Sequence, residues 1–359
     1  MFMTVDGNFL THFKNLKQVF LYLTEDCNLK CVQCLYKPSL VTKKSITPDI
    51  AKSLLKACKD LGAFKLTILG GEATLYDTDS LCSIISFAKE IGYRYIRIDT
   101  NGLFHKSLFA SELFSKIDEV SFSIDGFDNE TNGSLRGQGS FVKALANLRL
   151  SIQKNIKAHI TSCATKQNCK IAGGVKQYLL SMIKFAEKEN VSTINFHGVF
   201  KLGTPMDAWT DDSHLETEEW YFAVKDIREL MFSNSFSISV RLPLHIVTKA
   251  EFDSNPTYYG YCPSKLGERI LIHPSGLMQI CSSLLSSCYG CSYFTNEKII
   301  WNESATNELN ELGMKSLTPC SHQKALYNGD YVPVCFSLKP YQKEIVWNQL
   351  KHDNVIKEL

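Results

Sequence analysis

The feature that most restricts the fold of this chain is an alternation of two hydrophobic periodicities between residues 18 and 241. Short runs rich in β-branched and aromatic residues read as strands at 18–23, 65–69, 95–99, 119–124, 159–163, 193–196 and 237–241. Helical periodicity separates them at 47–61, 79–91, 106–114, 140–154, 175–189 and 216–232. Thr47-Pro48-Asp49 and Asp77/Asp79 supply N-cap signals for the first two helices. A strand followed by a helix, six times over, implies a parallel sheet with its helices outside. Six units fall short of a closed eight-unit barrel. The expected fold class is therefore α/β, a partial (β/α)6 barrel or an open sheet of the same kind.

In parallel barrels the working residues sit at the C-terminal ends of the strands. Here those ends carry Cys27–Cys34, Gly70-Gly71-Glu72, Asp99-Thr100-Asn101-Gly102, the run Ser121–Gly126, and Asn195-Phe196-His197-Gly198. Polar and glycine-rich residues thus gather repeatedly at one rim. Beyond residue 245 the alternation stops, and six of the thirteen cysteines lie after Tyr261. Two domains are expected, 1–245 and 246–359, the second smaller and stapled by metal, with the boundary near 253–257.

Composition narrows the partners. Hydrophobic residues make up 44% and charged residues 21% of the 359, as in soluble globular chains. The formal net charge is +2 and no Lys/Arg block stands out, so nothing electrostatic argues for nucleic acid or a membrane surface. No basic-then-apolar leader opens the sequence, and no apolar run approaches the ~20 residues of a membrane span. A cytoplasmic protein is expected, and there clustered thiols point to metal or iron–sulfur binding rather than disulfides. Cys58 and Cys82, inside apolar helical patterns, read as small buried hydrophobes.

Cys27, Cys31 and Cys34 are spaced Cys-x3-Cys-x2-Cys on the loop after the first strand. Thiolates are the usual ligands of a cubane cluster, which offers four iron corners. Three cysteines leave one iron open, and an open coordination position marks a reactive site rather than a structural one. This arrangement resembles the radical S-adenosylmethionine (SAM) superfamily. The resemblance implies a 4Fe–4S cluster on Cys27, Cys31 and Cys34 whose open iron chelates SAM. It further implies reductive cleavage of SAM to a 5′-deoxyadenosyl radical that takes hydrogen from a substrate C–H bond. One position departs from the family pattern: Gln33 stands where an aromatic residue usually precedes the third cysteine. Tyr36 and Tyr22 are the aromatics available near the adenine.

The resemblance extends over residues 17–240. Gly70-Gly71-Glu72 looks like the family's GGE motif, in which Glu72 accepts a charge-assisted hydrogen bond from the SAM ammonium and the glycines allow close backbone approach. Asn101 resembles a cofactor-facing position on the third strand end, and Asp99 a substrate-facing one. Ser123 resembles a SAM contact on the fourth. Arg136 is either a partner of the SAM carboxylate or an exposed loop arginine. Asn195 and His197 are candidates to orient substrate.

Cys262, thirteen residues, Gly276, four residues and Cys281 resemble the opening of SPASM and twitch domains, which hold auxiliary 4Fe–4S clusters. The expected unit is a β-hairpin, 269–272 and 277–280, turning at Pro274-Ser275-Gly276. The dense cysteine run of a full SPASM domain is missing, so one auxiliary cluster is expected, on Cys262, Cys281, Cys320 and Cys335. Cys288 and Cys291 replacing the latter pair, or a second cluster, stays open. If not ligands, Cys288 and Cys291 are candidate hydrogen-atom donors to a substrate radical, as is Cys163, with Cys169 a rival. A plain reduced thiol is the simpler reading for each.

Among relatives with such C-terminal modules two substrate classes recur. One is a ribosomally made peptide, crosslinked, epimerised or oxidised in natural-product maturation. The other is a small amino sugar or aminocyclitol, dehydrogenated or epimerised. The peptide is the first expectation. The residues before Cys27 are too few for a winged-helix leader-binding module, so a separate leader-binding protein is a possible partner, beside an electron donor such as flavodoxin or ferredoxin. The polar stretch 197–209 suits a small hydroxylated ligand equally. A non-catalytic iron–sulfur protein on the same fold is the reading from another class, and the retained rim residues speak against it.

Overall fold

The computed structural model describes residues 3–34, 43–200, 213–233, 235–242, 244–254, 264, 266–281, 290–303 and 330–335. In chain order they form β1 (Thr4–Val5), α1 (Gly7–His12), β2 (Gln18–Tyr22), α2 (Pro48–Asp60), β3 (Lys65–Leu69), α3 (Thr78–Glu90), β4 (Tyr95–Thr100) and β5 (Glu119–Ser123). Then follow α4 (Asn129–Arg136), α5 (Ser140–Gln153), β6 (Ala158–Ala164), α6 (Lys166–Ile171), α7 (Val175–Lys188), β7 (Thr193–Gly198), α8 (Thr217–Phe232) and β8 (Ser239–Arg241). The last are β9 (Leu244–Thr248), α9 (Lys249–Ser254), β10 (Arg269–Ile272), β11 (Leu277–Gln279), β12 (Gly290–Phe294), β13 (Lys298–Trp301) and β14 (Tyr331–Cys335).

Local chemistry explains most of these limits. Thr47 accepts from the Ile50 amide and Pro48 stands in the first turn of α2, where its missing N–H costs nothing. The helix then buries Ala51, Leu54, Leu55 and Cys58, an i, i+3, i+4, i+7 stripe, with Ala57 beside it. Asp77, not Asp79, caps α3 by accepting from the Ser80 amide. Cys58 is fully buried as expected, whereas Cys82 is half-buried. The helix expected at 106–114 is instead two short 3-10 turns, Lys106–Ala110 and Leu113–Ser115. Phe104, Phe109 and Phe114 stand five residues apart, a spacing that one straight α-helix would spread around its circumference. The broken turns let the three rings meet at centroid distances of 4.8–5.9 Å.

The chain folds as two compact units. The first holds the described residues within 1–30, 34–121 and 263–316, the second those within 31–33, 122–262 and 317–359. In the first, β2, β3 and β4 pair in parallel with Gln18, Lys65 and Tyr95 in register. Val19, Leu21, Leu66, Ile68, Ile96 and Ile98 are buried along them, the alternate positions of three neighbouring strands. The expected C-terminal hairpin is present as β10 and β11, with Gly276 at φ +94° in its turn. It does not fold apart from the barrel strands. β10 pairs in parallel with β2, Arg269 opposite Gln18 and Ile272 opposite Leu21. β11, β12 and β13 follow as an antiparallel meander, and β1 pairs with β13. The compact units therefore do not divide at residue 245. The physical reason is the free edge of β2, whose backbone donors and acceptors β10 satisfies.

In the second unit β6, β7 and β8 pair in parallel, with His159 opposite Thr193 and Asn195 opposite Arg241. Phe122 of β5, Tyr178 of α7, Phe196 of β7 and Trp220 of α8 are its largest fully buried rings. A separate antiparallel pair joins β9 to β14. Both units are mixed α/β with mostly parallel pairing among the barrel strands, in line with the expected class.

Candidate functional site

In the first unit, the end of β3 folds back on residues 24–26, directly before the cysteine loop. The Gly71 amide donates to the Thr24 carbonyl (2.7 Å) and the Glu72 amide to that of Asp26 (2.8 Å). A Cβ on Gly70 would stand 2.4 Å from the Thr24 oxygen, and one on Gly71 2.3 Å from the Asp26 oxygen. The glycine pair lets backbone lie on backbone and so seats the loop that carries Cys27. The close approach is thus made to the loop itself. Gly71→Ala is expected to lower stability by about 1–3 kcal/mol, the cost of overpacking, and to slow cluster assembly. Denaturant midpoints and iron uptake measured against time check both, and a variant matching the wild type on each contradicts this role.

Glu72 is 2% exposed. Its Oε1 accepts from the Thr74 amide (3.1 Å), the Thr74 hydroxyl (2.6 Å) and the Thr100 hydroxyl (2.7 Å), and its Oε2 from the Asn101 amide (2.6 Å). A buried carboxylate needs such donors, and these tie β3 to the end of β4. Asn101 passes the link on. Its Nδ2 donates to Asn28 Oδ1 (2.7 Å) and reaches Cys27 Sγ at 3.9 Å, while the Leu29 amide lies 3.5 Å from the same sulfur.

In the second unit the centre is Asp125, fully buried two residues beyond β5. Its Oδ1 accepts from the Cys163 amide (2.7 Å), and its Oδ2 from Arg136 Nε (2.5 Å) and from Gln33 Nε2. Its carbonyl accepts from Asn168 Nδ2 (2.8 Å) and the Tyr178 hydroxyl (3.0 Å). Arg136 is no loop residue; it closes α4, a helix started by a capping box between Asp128 and Thr131. Its Nη1 stands 3.9 Å from Cys31 Sγ. Burial opposes its charge, yet Asp125, then the Cys31 and Cys163 thiols, hold its pKa above the ordinary value. Gln33 is buried in the place of the family aromatic and faces Asp125 rather than offering a ring.

The other expected residues divide. Ser123 ends β5, half-buried. Cys163 and His197 are register partners on β6 and β7, as are Thr161 and Asn195. Asn195 Nδ2 and His197 Nε2 lie 2.9 Å apart. The structure thus brings Cys163, Asn195 and His197 to one polar face. Asp99 is instead engaged by its neighbour Arg97 (2.7 Å) on β4. Tyr22 stacks on His273 with centroids 4.5 Å apart and 20° between planes, so it is already part of another contact. Cys291 does not suit a hydrogen donor. It is fully buried in β12, its thiol donates to the Met278 carbonyl (3.3 Å), and burial pushes its pKa up to about 12. Cys169 is likewise buried, with its pKa raised by burial. Cys281 follows β11, half-buried, with Arg269 Nη2 at 3.9 Å from its sulfur. Cys335 is the last residue of β14, opposite Leu244. Tyr36, Cys262, Cys288 and Cys320 lie outside the described residues.

Among the described residues no three His, Cys, Asp or Glu side chains gather as around a single ion. A cluster places different demands, since its cysteines stand at separate corners. Cys27, Cys31 and Cys34 are each part-exposed, and two of their sulfurs are met by N–H donors. Donors to sulfur suit a thiolate that carries charge into a cluster. The residues present therefore fit an iron–sulfur cluster. Asp125, Thr100 and Asn28 were not singled out by sequence. The only advance signals were the position of Asp125 at a strand end and the Asp128-x-x-Thr131 spacing.

Residues 21–166 match the family model described as Radical SAM superfamily. The chain is 28% identical over 218 residues to Fe-coproporphyrin III synthase of Methanosarcina barkeri, a match covering 58% of this chain and 51% of that protein. Among solved structures it resembles Streptococcus suis SuiB bound to precursor peptide SuiA (TM-score 0.59, 16% identity, 77% of this chain, 62% of that one). It also resembles anSMEcpe with bound AdoMet and Kp18Cys peptide (TM-score 0.58, 16% identity, 77% of each chain). The chain thus spans about half of the Methanosarcina relative and under two thirds of SuiB.

Proposed function

We propose, for a chain whose residues 21–166 form a radical SAM domain, that it reductively cleaves SAM and modifies a ribosomally made peptide by hydrogen abstraction from a C–H bond. Such a domain uses a 4Fe–4S cluster and SAM, which supply the radical chemistry when bound. The observation that carries the reading is the cysteine loop, with Asn101 donating toward Cys27 and Arg136 toward Cys31. Cys27, Cys31 and Cys34 would hold the cluster. Gly70-Gly71 seats their loop, and Glu72 orders Asn101 beneath it. Ser123 is our candidate SAM contact.

The peptide class is supported by the fold shared with SuiB and anSMEcpe, whose structures hold peptides. One observation favours a second reading, a small hydroxylated metabolite. The face of β6 to β8 that carries Cys163, Asn195 and His197 also presents Thr161, His159 and Arg241, a short-range hydrogen-bonding wall. In either case Asn195 and His197 would orient substrate and Cys163 is the candidate thiol donor. Positioning of the reacting C–H bond is then the protein's main contribution.

An auxiliary cluster on Cys262, Cys281, Cys320 and Cys335 belongs to the proposal, as do a flavodoxin-type or ferredoxin-type electron donor, a separate leader-binding protein and a cytoplasmic location. No helix among the described residues is long and apolar enough to cross a membrane. The test is anaerobic loading with iron and sulfide, then SAM and dithionite. The expected result is 5′-deoxyadenosine, increased when a precursor peptide encoded beside the gene is added and accompanied by a mass change in that peptide. Turnover with amino sugars or cyclitols and none with peptides would favour the second reading. No 5′-deoxyadenosine at all would defeat both.

A further inference from the structure

We infer that Arg136, held in place by Asp125, is a positioning residue that donates a hydrogen bond to the sulfur of Cys31 and raises the reduction potential of the cluster this cysteine helps to hold. The inference rests on the radical SAM reading above. It starts from the guanidinium, a rigid fork with donors on two edges. Its Nε is fixed on Asp125 at 2.5 Å, which leaves Nη1 toward Cys31 Sγ at 3.9 Å.

The fork has little freedom to turn, because Asp125 is held from every side. Its other carboxylate oxygen accepts from the Cys163 amide (2.7 Å), and its amide donates to Asn132 Oδ1 (2.9 Å). Its carbonyl takes two donors, Asn168 and Tyr178. Gln33 shares Oδ2 with Arg136, which joins the cysteine loop to the same carboxylate. The orientation of the Gln33 amide follows from this, because turning its oxygen toward Asp125 would set two acceptors against each other. The backbone makes the parallel link: the Val32 amide donates to the Leu135 carbonyl (2.9 Å), one of the orphan acceptors at the end of α4. Cys31 and Arg136 are therefore anchored to the same helix end, one through Val32, the other by sequence, and Gln33 ties the loop to the carboxylate that Arg136 also holds.

A positive N–H donor on a cluster sulfur favours the state with one more electron, so it raises the potential. The position before the third cysteine then has a different use in this chain. Where a ring would pack, Gln33 completes the cage around Asp125 and so helps to aim Arg136.

The experiment is a redox titration of the anaerobically loaded full chain without SAM, following the low-temperature EPR signal that Cys27→Ala lacks. Arg136→Gln is expected to weaken acceptance of the electron at least tenfold, about 59 mV for a one-electron couple. Arg136→Lys keeps the charge but not the fork, and is expected to weaken it about threefold. Arg149→Gln removes the same charge from a half-exposed arginine paired with the buried Glu189 and is expected to leave the midpoint unchanged. If Arg136→Gln fails to retain iron, Arg136→Lys decides. A fully loaded Arg136→Lys with the wild-type midpoint overturns the inference, as does an unshifted Arg136→Gln. A wild type with no reducible signal at all overturns the underlying radical SAM reading instead.

Discussion

Cys27→Ala, Cys31→Ala and Cys34→Ala are each expected to reduce 5′-deoxyadenosine formation to background and to remove one cluster. A cubane offers four corners, and these three thiolates leave one free for the reacting ligand. Removing any one opens a second corner and unbalances the charge of the whole site, so partial activity is not expected. With the proposed auxiliary 4Fe–4S site filled as well, the wild type is expected to hold about eight irons and each variant about four. Cys281→Ala is the informative contrast. On the proposed auxiliary site it is expected to lose the other four irons and still cleave SAM, because Cys281 follows the β10–β11 hairpin in sequence rather than lying on the 27–34 loop. Iron and sulfide analysis beside product chromatography gives both numbers. A single-cysteine variant of the 27–34 loop that keeps eight irons and full turnover would contradict the assignment.

The second large effect is on stability. Asp125→Ala leaves Arg136 with its side chain only 12% exposed and its carboxylate partner gone. Removing one member of a buried ion pair costs about 3–5 kcal/mol, because the remaining charge is uncompensated. The Cys163 amide and Gln33 lose their acceptor in the same change. Arg136→Met mirrors it, stranding a fully buried carboxylate. The double variant is expected to be less unstable than the sum of the singles by about 1–3 kcal/mol, since the second change removes the stranded partner. Urea titrations of the four proteins provide the cycle. Strict additivity would show that the pair contributes nothing beyond its separate packing.

These two sites were not equally legible. The cysteine loop stands out by spacing because its three thiols are close in sequence and chemically distinctive. The strands around it could be read because a buried parallel strand needs a short apolar run between helices. Asp125 could not be valued in the same way. Its partners Gln33, Arg136, Cys163, Asn168 and Tyr178 come from five segments, and nothing in a single chain relates them. The same limit left Arg136 between a cofactor partner and a loop residue, because its helix is started by Asp128 and Thr131 rather than by the commoner Ser/Thr with Glu/Gln. Nor did the sequence name what Gly70-Gly71 approach, because the contact with Thr24 and Asp26 crosses from one strand end to the next.

Sequence by itself determined the βα alternation, the three-thiol loop and the hairpin at Gly276, all of which depend on neighbours within one element or one turn. Tertiary structure alone decided where that hairpin goes, what Glu72 and Gln33 hold, and which way Arg136 points. The physical reason is that free backbone edges and buried charges must be satisfied, and their partners are chosen by proximity in space. β10 took the edge of β2, and Asp125 took Arg136, for that reason.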